Sequence, residues 1–464
     1  MLQELDRSKI HMIGIKGTGM SSLAVALTTY GAQVTGSDIP QRFFTDRIIE
    51  DAGITVAQEF SEENIPKHCD LVIASPAYTA ENNEELSYAL HRGIPVKTYV
   101  EMLSMLSQEF YTCAVAGTHG KSSTSAMLDH LLGEESISHL SIYGTALQGR
   151  KDRQVLEGMK LLCIEACEYR EHFLEYSPDM IILTSISHDH PDYFKDLKAV
   201  HEAFVLFVLR LPDNGVLIYN SDDPEVVKVI DEVLGQRDDL KAVPYGFSAV
   251  GEFQIMDLRV QRGSLSAGIS AKRFTLHIPG RHMIEDMTGA VIAVRLFSKR
   301  PLQEILIHTT SYPGCIRRSE LIGMYQNICF VDDYGHHPQE ISKTLTALRE
   351  YYEPKRMIVD FIPHTISRTK ALYDDFVESF DSADIVIIHP VYMTVRETVS
   401  EPDAAGDWGR RLADAIPGGI FIDESIDRLA TIGTLLQDGD LFITMGAGNN
   451  RETGEHLLEA LKNR

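Results

Sequence analysis

The chain has 464 residues, 44% hydrophobic and 24% charged, a balance that excludes a disordered polymer and supplies apolar material for about two to four independently cored domains. Its 43 basic and 67 acidic residues leave a net charge of −24 spread along the length. That field argues against nucleic acid and anionic membranes as partners, while small anions stay accessible to local N–H groups and cations.

Six scattered cysteines without a CxxC pair exclude a disulfide framework or zinc knuckle, and Cys163 and Cys167 read as core thiols. The longest apolar run, AFVLFVLRL at 203–211, is broken by an arginine and reaches about half of the roughly 20 residues a bilayer span needs. The opening MLQELDRSKIHMIGI lacks the basic, apolar and small-residue succession of an export signal, so a cytoplasmic location is expected.

In chain order, the first α/β theme is a strand over Ile10–Ile15, a glycine turn, a helix from about Ser21 to Tyr30, a strand ending at Asp38 and another over Leu71–Ser75. The turn Gly14-Ile15-Lys16-Gly17-Thr18-Gly19-Met20, with Asp38 following, is similar to a dinucleotide fingerprint, but Lys16 stands where the second glycine lets bare backbone meet a pyrophosphate. NAD is therefore disfavoured. The expected occupant is another phosphorylated ligand on the helix N-terminus, with Lys16 as an added cation; a purely structural turn is the alternative.

The second theme opens at Thr112 with TCAVAG and continues through Ala116-Gly117-Thr118-His119-Gly120-Lys121-Ser122-Ser123-Thr124 into a helical pattern. Strand, glycine turn and helix stand in the order that phosphate binding needs. The glycines let successive N–H groups point at phosphate oxygens, Lys121 supplies a cation, and the Ser122 hydroxyl suits magnesium. The loop is one residue shorter than GxxxxGK[ST]; an ordinary glycine turn is the competing reading. Further strands are expected over Leu161–Glu165, Met180–Thr184 and Gly215–Tyr219. Two of their ends carry candidate metal ligands: Glu165, with Glu168 one helical turn on, and His188-Asp189-His190. Solvent-facing histidines and a strand-end glutamate are the bland alternative. Gly246–Leu276 alternates apolar and polar residues and reads as an exposed antiparallel part of the middle domain.

The third theme begins with ICFVDDY at Ile328 and runs through RMIVDF, ADIVIIHP, GIFID and DLFITMGAG. It gathers Arg317-Arg318, Asp332-Asp333-Tyr334-Gly335-His336-His337 and Pro363-His364-Thr365-Ile366-Ser367-Arg368 near strand ends, a set suited to carboxylate, phosphate or ammonium. Three α/β domains follow, with boundaries placed near 107 and 312.

Taken in order, GIKGTGMSSLA, TGSD, GTHGKSSTSAM, IEACEYREHF, HDHPDYFKD, IPGRH, the RR pair, VDDYGHHPQEI, PHTISRT and the late GAG resemble the Mur ligases over nearly the whole chain. The resemblance implies a Rossmann-like UDP-sugar domain (1–107), a central ATP-binding domain of P-loop ATPase type with a mainly parallel sheet (108–312) and a Rossmann-like amino-acid domain (313–464). The implied activity is ATP-dependent joining of L-alanine to the lactyl carboxylate of UDP-N-acetylmuramate through an acyl phosphate, in peptidoglycan precursor synthesis. The implied cofactors are ATP and magnesium, with manganese as an alternative ion, in a monomer or homodimer.

Carried over by position, Gly117, Thr118, His119, Gly120, Lys121, Ser122 and Ser123 would hold ATP, and Ser122, Glu165 and His190 the metal. Asp333 and His336 would meet the ribose and phosphate end of ATP. Tyr334, His364 and Arg368 would line the amino-acid pocket, Arg317 or Arg318 would reach across the domain cleft, and Gly17, Thr18, Gly19, Met20, Ser21 and Asp38 would face the UDP-sugar. Lys121, Glu165, His190 and Arg368 are the expected catalytic set. The chain departs from the family pattern at Met283 and Asp286, where asparagines are usual, and at Ile362, Thr365 and Asn449; EACEYR replaces the commoner EADESD. The rivals are a ligase of the same family that recycles a whole peptide, a P-loop NTPase switch, and, third, an NAD dehydrogenase.

Overall fold

Runs that are apolar on both faces become the interior strands, as a parallel sheet covered on both sides requires. Cys113–Ala116, Leu161–Ile164 and Met180–Leu183 are all 2% exposed or less. The computed structural model describes residues 5–149, 160–190, 193–392, 404–423, 427–446 and 448–463. The chain divides into two units, one of Met1–His188, Leu197–Ile255 and Glu285–Tyr312, the other of Asp189–Asp196, Met256–Ile284 and Pro313–Arg464.

The first unit carries two parallel sheets. In one, β1 (Lys9–Ile13), β2 (Gln33–Ser37), β3 (Thr55–Ala57), β4 (Leu71–Ala74) and β5 (Val96–Thr98) are ordered β3-β2-β1-β4-β5, and α1 (Thr18–Tyr30) follows β1. The other holds β6 (Tyr111–Ala116), β7 (His139–Ile142), β8 (Leu161–Ala166), β9 (Met180–Leu183), β10 (Val216–Asn220) and β11 (Lys241–Tyr245), ordered β11-β10-β9-β6-β8-β7, with α2 (Lys121–Glu134) after β6. Order reverses at β6, whose Ala116 pairs with Ala166 on one side and Leu183 on the other. The segments following β6, β8 and β9 are thereby set side by side, the usual place for a ligand in an open α/β sheet.

The second unit contains an antiparallel meander of β12 (Met256–Gln261), β13 (Ser264–Ile269) and β14 (Lys272–Leu276). Its larger sheet, β15 (Glu320–Tyr325), β16 (Ile328–Asp333), β17 (Arg356–Ile362), β18 (Ile385–Ile388), β19 (Gly419–Phe421) and β20 (Asp440–Gly446), is ordered β15-β16-β20-β17-β18-β19, with β15 alone antiparallel. Alternate residues feed two cores: Met357, Val359 and Phe361 face one, Ile358 and Phe442 the other. Helix α3 (Pro338–Tyr352) starts at the carboxyl end of β16 and the short α4 (Ile366–Ala371) at that of β17.

The antiparallel strands expected after Gly246 do form, but from Met256 onward, and they group with the second unit. There the Tyr351 hydroxyl at the end of α3 donates to the Gly263 carbonyl at 2.8 Å and Gly263 N donates to Tyr351 O at 3.3 Å, closing the β12–β13 turn onto that helix. No described helix is long and apolar enough to cross a membrane. All six cysteines are free, and burial pushes the Cys167 thiol up to about 12, in keeping with core thiols.

Candidate functional site

In the first unit, the loop from Gly117 to Gly120 is set by two glycines with positive φ, +138° and +82°. A Cβ on Gly117 would lie 2.1 Å from Thr184 Oγ1 and within 2.9 Å of the Ser185 backbone; one on Gly120 would lie 2.8 Å from Asp286 Oδ1. The segment after β9 forms the loop's floor. Thr118 N donates to Ser185 O at 2.8 Å, His119 N to Ser185 Oγ at 3.0 Å, and Thr184 Oγ1 to His119 O at 2.6 Å. Ser187 N donates to Thr118 Oγ1 at 2.9 Å.

Helix α2 starts with Gly120 as a cap that brings no side-chain acceptor, and its first internal bond runs from Thr124 N to Gly120 O. The N–H groups of Lys121, Ser122 and Ser123 therefore precede the ladder, at the positive end of the helix dipole, where an anion is favoured.

Two carboxylates from the end of β8 meet this helix start. Ser122 Oγ lies 3.0 and 2.9 Å from the two Glu165 oxygens, and Gly144 N donates to Glu165 Oε2 at 2.8 Å. Lys121 Nζ donates to Glu168 Oε2 at 2.9 Å, to Thr118 O at 3.0 Å and to Gly117 O. Burial by itself would depress the Lys121 ammonium, but the Glu168 carboxylate, with Cys167 and Glu165 nearby, holds it above its ordinary value. Glu168 Oε1, also buried, has no hydrogen-bond partner among the described residues.

At α1, Gly17 and Thr18 are exposed and Gly19 half-buried, whereas Met20 and Ser21 are buried and the Ser21 hydroxyl donates to Thr18 O at 2.9 Å. The reading of Lys16 as a ligand-facing cation is corrected. Its Nζ turns inward and donates to Ile39 O, Gln41 O and Gln58 Oε1, each at 2.9 Å, and pairs with Asp46 Oδ1 at 3.1 Å. Its backbone N donates to Asp38 Oδ2 at 2.7 Å, and burial raises the Asp38 carboxyl. Lys16 thus pins the segment after β2. Ser22 Oγ on α1 accepts from Tyr143 N at 3.0 Å, and the next N–H, of Gly144, reaches Glu165, so α1 stands a short chain of bonds from Ser122.

The second unit assembles a separate cluster. Arg368, in α4, donates through Nη2 to Asp189 Oδ1 at 2.9 Å, and its Nη1 lies 3.1 Å from His364 Nδ1. The His336 ring is 5.2 Å from that of His364 and 5.1 Å from that of Tyr334. Burial, with the Arg368 charge, pushes His336 down to about 4; burial, His336 and Arg368 push His364 down to about 3, so both imidazoles are neutral. Thr365, a β-branched residue at φ +64°, caps α4 by accepting from Arg368 N at 3.4 Å and donates its own N–H to Tyr392 O at 3.1 Å. Such a conformation costs on the order of 1–3 kcal/mol and marks a site whose surroundings over-determine it.

Asp333 is buried, and its oxygens accept from Ser319 N and Gly335 N, both at 2.7 Å. Arg317 is no arm reaching out of its domain, and that expectation is corrected. Buried at 3% exposure, it binds Asp332, Gly446 O, Gly448 O and Asn450, whereas Arg318 is half-buried, with its guanidinium 5.6 Å from the centre of the Tyr334 ring. His190 falls in this second unit, beside Asp189, whereas Ser122 and Glu165 belong to the first.

Three family models match the chain in succession: the Mur ligase family catalytic domain over residues 9–111, the Mur ligase middle domain over 115–294 and the Mur ligase glutamate ligase domain over 317–448. A UDP-N-acetylmuramate--L-alanine ligase of Treponema pallidum is 40% identical over 98% of this chain and 97% of its own length. The chain belongs to the Mur ligase family. A second relative of that name, from Borreliella burgdorferi, is 34% identical over 96% of this chain and 97% of its own. Among solved structures, a UDP-N-acetylmuramate-alanine ligase of Thermotoga maritima overlays with a TM-score of 0.79 at 23% identity, covering 98% of this chain and 99% of that one. A murein peptide ligase of Psychrobacter arcticus gives 0.71 at 21%, with the same coverage. At those identities the overlays speak for the fold.

Within this Mur ligase, sequence reasoning left three features unassigned: Glu168 as the partner of Lys121, the Thr184–Ser187 floor of the loop, and the Asp189–Arg368 pair. The first had a visible signal, since Glu168 stands three residues after Glu165. Two of the departures from the family pattern are buried on one helix, Met283 at 5% exposure and Asp286 at 6%, and Asp286 packs against the phosphate loop.

Proposed function

We propose that the chain joins L-alanine to the lactyl carboxylate of UDP-N-acetylmuramate, converting ATP to ADP and phosphate, as a step of peptidoglycan precursor synthesis in the cytoplasm. The observation that carries this reading is the glycine loop at the sheet's switch point, with Lys121 and Ser122 at the head of α2 and the Glu165 carboxylate against Ser122. Full-length relatives that carry the same activity in their names support the substrates.

A carboxylate is a poor acyl donor, so the lactyl oxygen first takes the γ-phosphoryl group. The amine then attacks the acyl phosphate carbonyl, phosphate leaves, and the amine's protons pass to solvent or a base. In this reading the N–H groups of Lys121, Ser122 and Ser123 orient the triphosphate. Lys121 exchanges its internal acceptors for phosphate oxygens and neutralises the charge that moves with the phosphoryl group.

The donor set around Ser122 fits a divalent cation: a hydroxyl and a carboxylate converge, both hard oxygen ligands, and phosphate oxygens and water would complete the shell. Bound there, magnesium would supply charge neutralisation on the phosphoryl group. His190 is the proposed imidazole contribution to metal binding. Residues 1–107 are proposed to take the UDP-sugar at the start of α1, residues 108–312 ATP, and residues 313–464 the amino acid, with Tyr334, His364 and Arg368 around it and Asp333 and His336 towards the nucleotide.

The test is phosphate release with UDP-N-acetylmuramate, L-alanine and ATP each omitted in turn, and with L-Ala-γ-D-Glu-meso-diaminopimelate offered in place of alanine. Strict dependence on all three supports the reading. Turnover without the UDP-sugar, or preference for the peptide, overturns it. Lys121→Ala should lose turnover by about 10³-fold while retaining UDP-sugar binding.

A further inference from the structure

The Arg368–Asp189 pair is buried, its side chains 8% and 12% exposed, yet it is incompletely satisfied in a complementary way. On the cation, Nη2 and Nη1 have partners, but Nε, shielded from solvent, donates to nothing among the described residues. On the anion, Oδ1 accepts from both Arg368 Nη2 and His190 N, whereas Oδ2 stands 3.8 Å from His190 Nε2, beyond hydrogen-bond reach. A buried guanidinium N–H without an acceptor among the described residues, in one ion pair with a carboxylate whose second oxygen no described donor reaches, is the mirror of a zwitterion. The carboxylate of an α-amino acid fits the first and its ammonium the second.

Taking Arg368 as part of the amino-acid pocket, on which this inference rests, we propose that Asp189 recognises the ammonium of the incoming amino acid, so that the Asp189–Arg368 pair selects a zwitterion over a plain carboxylate. A ligand carrying only a carboxylate would bring a second anion against Asp189 with no charge to offset it. A ligand carrying only an amine would leave Arg368 Nε unpaired. The surrounding rings support the assignment: His336 and His364 are neutral, and so present no cation to compete with the ammonium. Asp189 is a specificity residue here, since it fixes which amine enters without being consumed in the reaction.

The experiment compares the KM for L-alanine with the inhibition constants of propionate and L-lactate, which keep the carboxylate and lose the ammonium, in wild type, Asp189→Asn, Asp189→Glu and Arg368→Ala. In Asp189→Asn the alanine KM should rise about 10-fold or more while propionate binds about 10-fold more tightly, because the repelling charge is gone; a merely structural role would weaken both. Asp189→Glu should restore the discrimination in part, and the KM for ATP should stay within about 3-fold in both variants. An unchanged ratio of alanine KM to propionate inhibition in Asp189→Asn overturns the inference. Wild type gives a measurement independent of variant folding: L-lactate competing as strongly as L-alanine binds overturns it too. If Arg368→Ala leaves the alanine KM unaltered, the pocket assignment itself fails, and the two failures are told apart by that arm.

Discussion

Glu168, only 2% exposed at its side chain, holds the Lys121 ammonium at 2.9 Å, so the cation offered to phosphate is already paired before any phosphate arrives. Breaking a buried pair by neutralising one partner costs about 3–5 kcal/mol, chiefly because the other charge is left uncompensated. Glu168→Gln should therefore lower the stability of the nucleotide-free protein markedly. Phosphate oxygens would take over the role of Glu168, so ATP should raise the melting temperature of the variant by more than it raises that of wild type. A thermal-shift comparison with and without ATP reads this directly, and equal ATP-induced shifts would remove Glu168 from the loop's charge balance.

Gly117 is required by space and by backbone angle together. Gly117→Ala should abolish ATP binding or soluble expression, because the methyl meets Thr184 Oγ1 at 2.1 Å and φ is +138°. Pairing it with Thr184→Ala should not rescue it, since Ser185 N and O remain at 2.8 and 2.9 Å. Gly144→Ala is the control: the nearest atom to its methyl would be Glu165 Oε2 at 3.3 Å and its φ is not positive, so a far milder loss is expected. ATP binding by isothermal titration on soluble variants decides it, and a functional double variant would show that sterics at Thr184 alone govern the position.

The phosphate loop was legible in the sequence because strand, glycines, lysine and helix are contiguous there, and contiguity is what the motif encodes. The inward turn of Lys16 is not legible in the sequence, because its acceptors Ile39 O, Gln41 O and Gln58 stand 23, 25 and 42 residues further on; a lone cation in a glycine turn carries no mark of what the chain brings back to it. Arg317 and Arg318 look alike in sequence and differ in the fold. The carbonyls of Gly446 and Gly448, 129 and 131 residues away, capture the first and leave the second nearer the surface. Asp189 and Arg368, 179 residues apart, each follow a strand, and their pairing is set by the fold rather than by any spacing in the sequence. The grouping of 256–284 with the second unit was hidden for the same reason, since the Tyr351–Gly263 contact leaves no trace in the hydrophobic pattern.

The two neutral imidazoles set a pH dependence with a definite sign. His336 and His364 titrate near 4 and 3 in the folded protein against an ordinary 6.5, so below about 6.5 the unfolded chain binds protons that the folded one does not. Stability should fall as pH drops from about 6.5 towards 4, each ring contributing at most about 1.4 kcal/mol per pH unit. His336→Asn retains a donor towards Tyr334 O, and His364→Asn an acceptor for Arg368, while neither side chain titrates. Urea denaturation from pH 7 to 4.5 should show a shallower slope in the double variant, and an unchanged slope would mean that the rings are protonated in the fold.

Glu165 separates charge from hydrogen bonding at the proposed metal position. Glu165→Gln keeps an oxygen for Gly144 N and Ser122 Oγ, so the fold should persist; what it loses is the negative charge that a hard divalent cation requires beside the Ser122 hydroxyl. The magnesium concentration for half-maximal rate should rise by about 10-fold or more, while the affinity for UDP-N-acetylmuramate changes little. Ser122→Ala should shift the magnesium requirement in the same direction but by less, since it removes a neutral ligand. Because Glu165 also reaches α1 through Gly144, Tyr143 and Ser22, a loss of UDP-sugar affinity in Glu165→Gln without any shift in magnesium dependence would instead make Glu165 a brace between β8 and that helix.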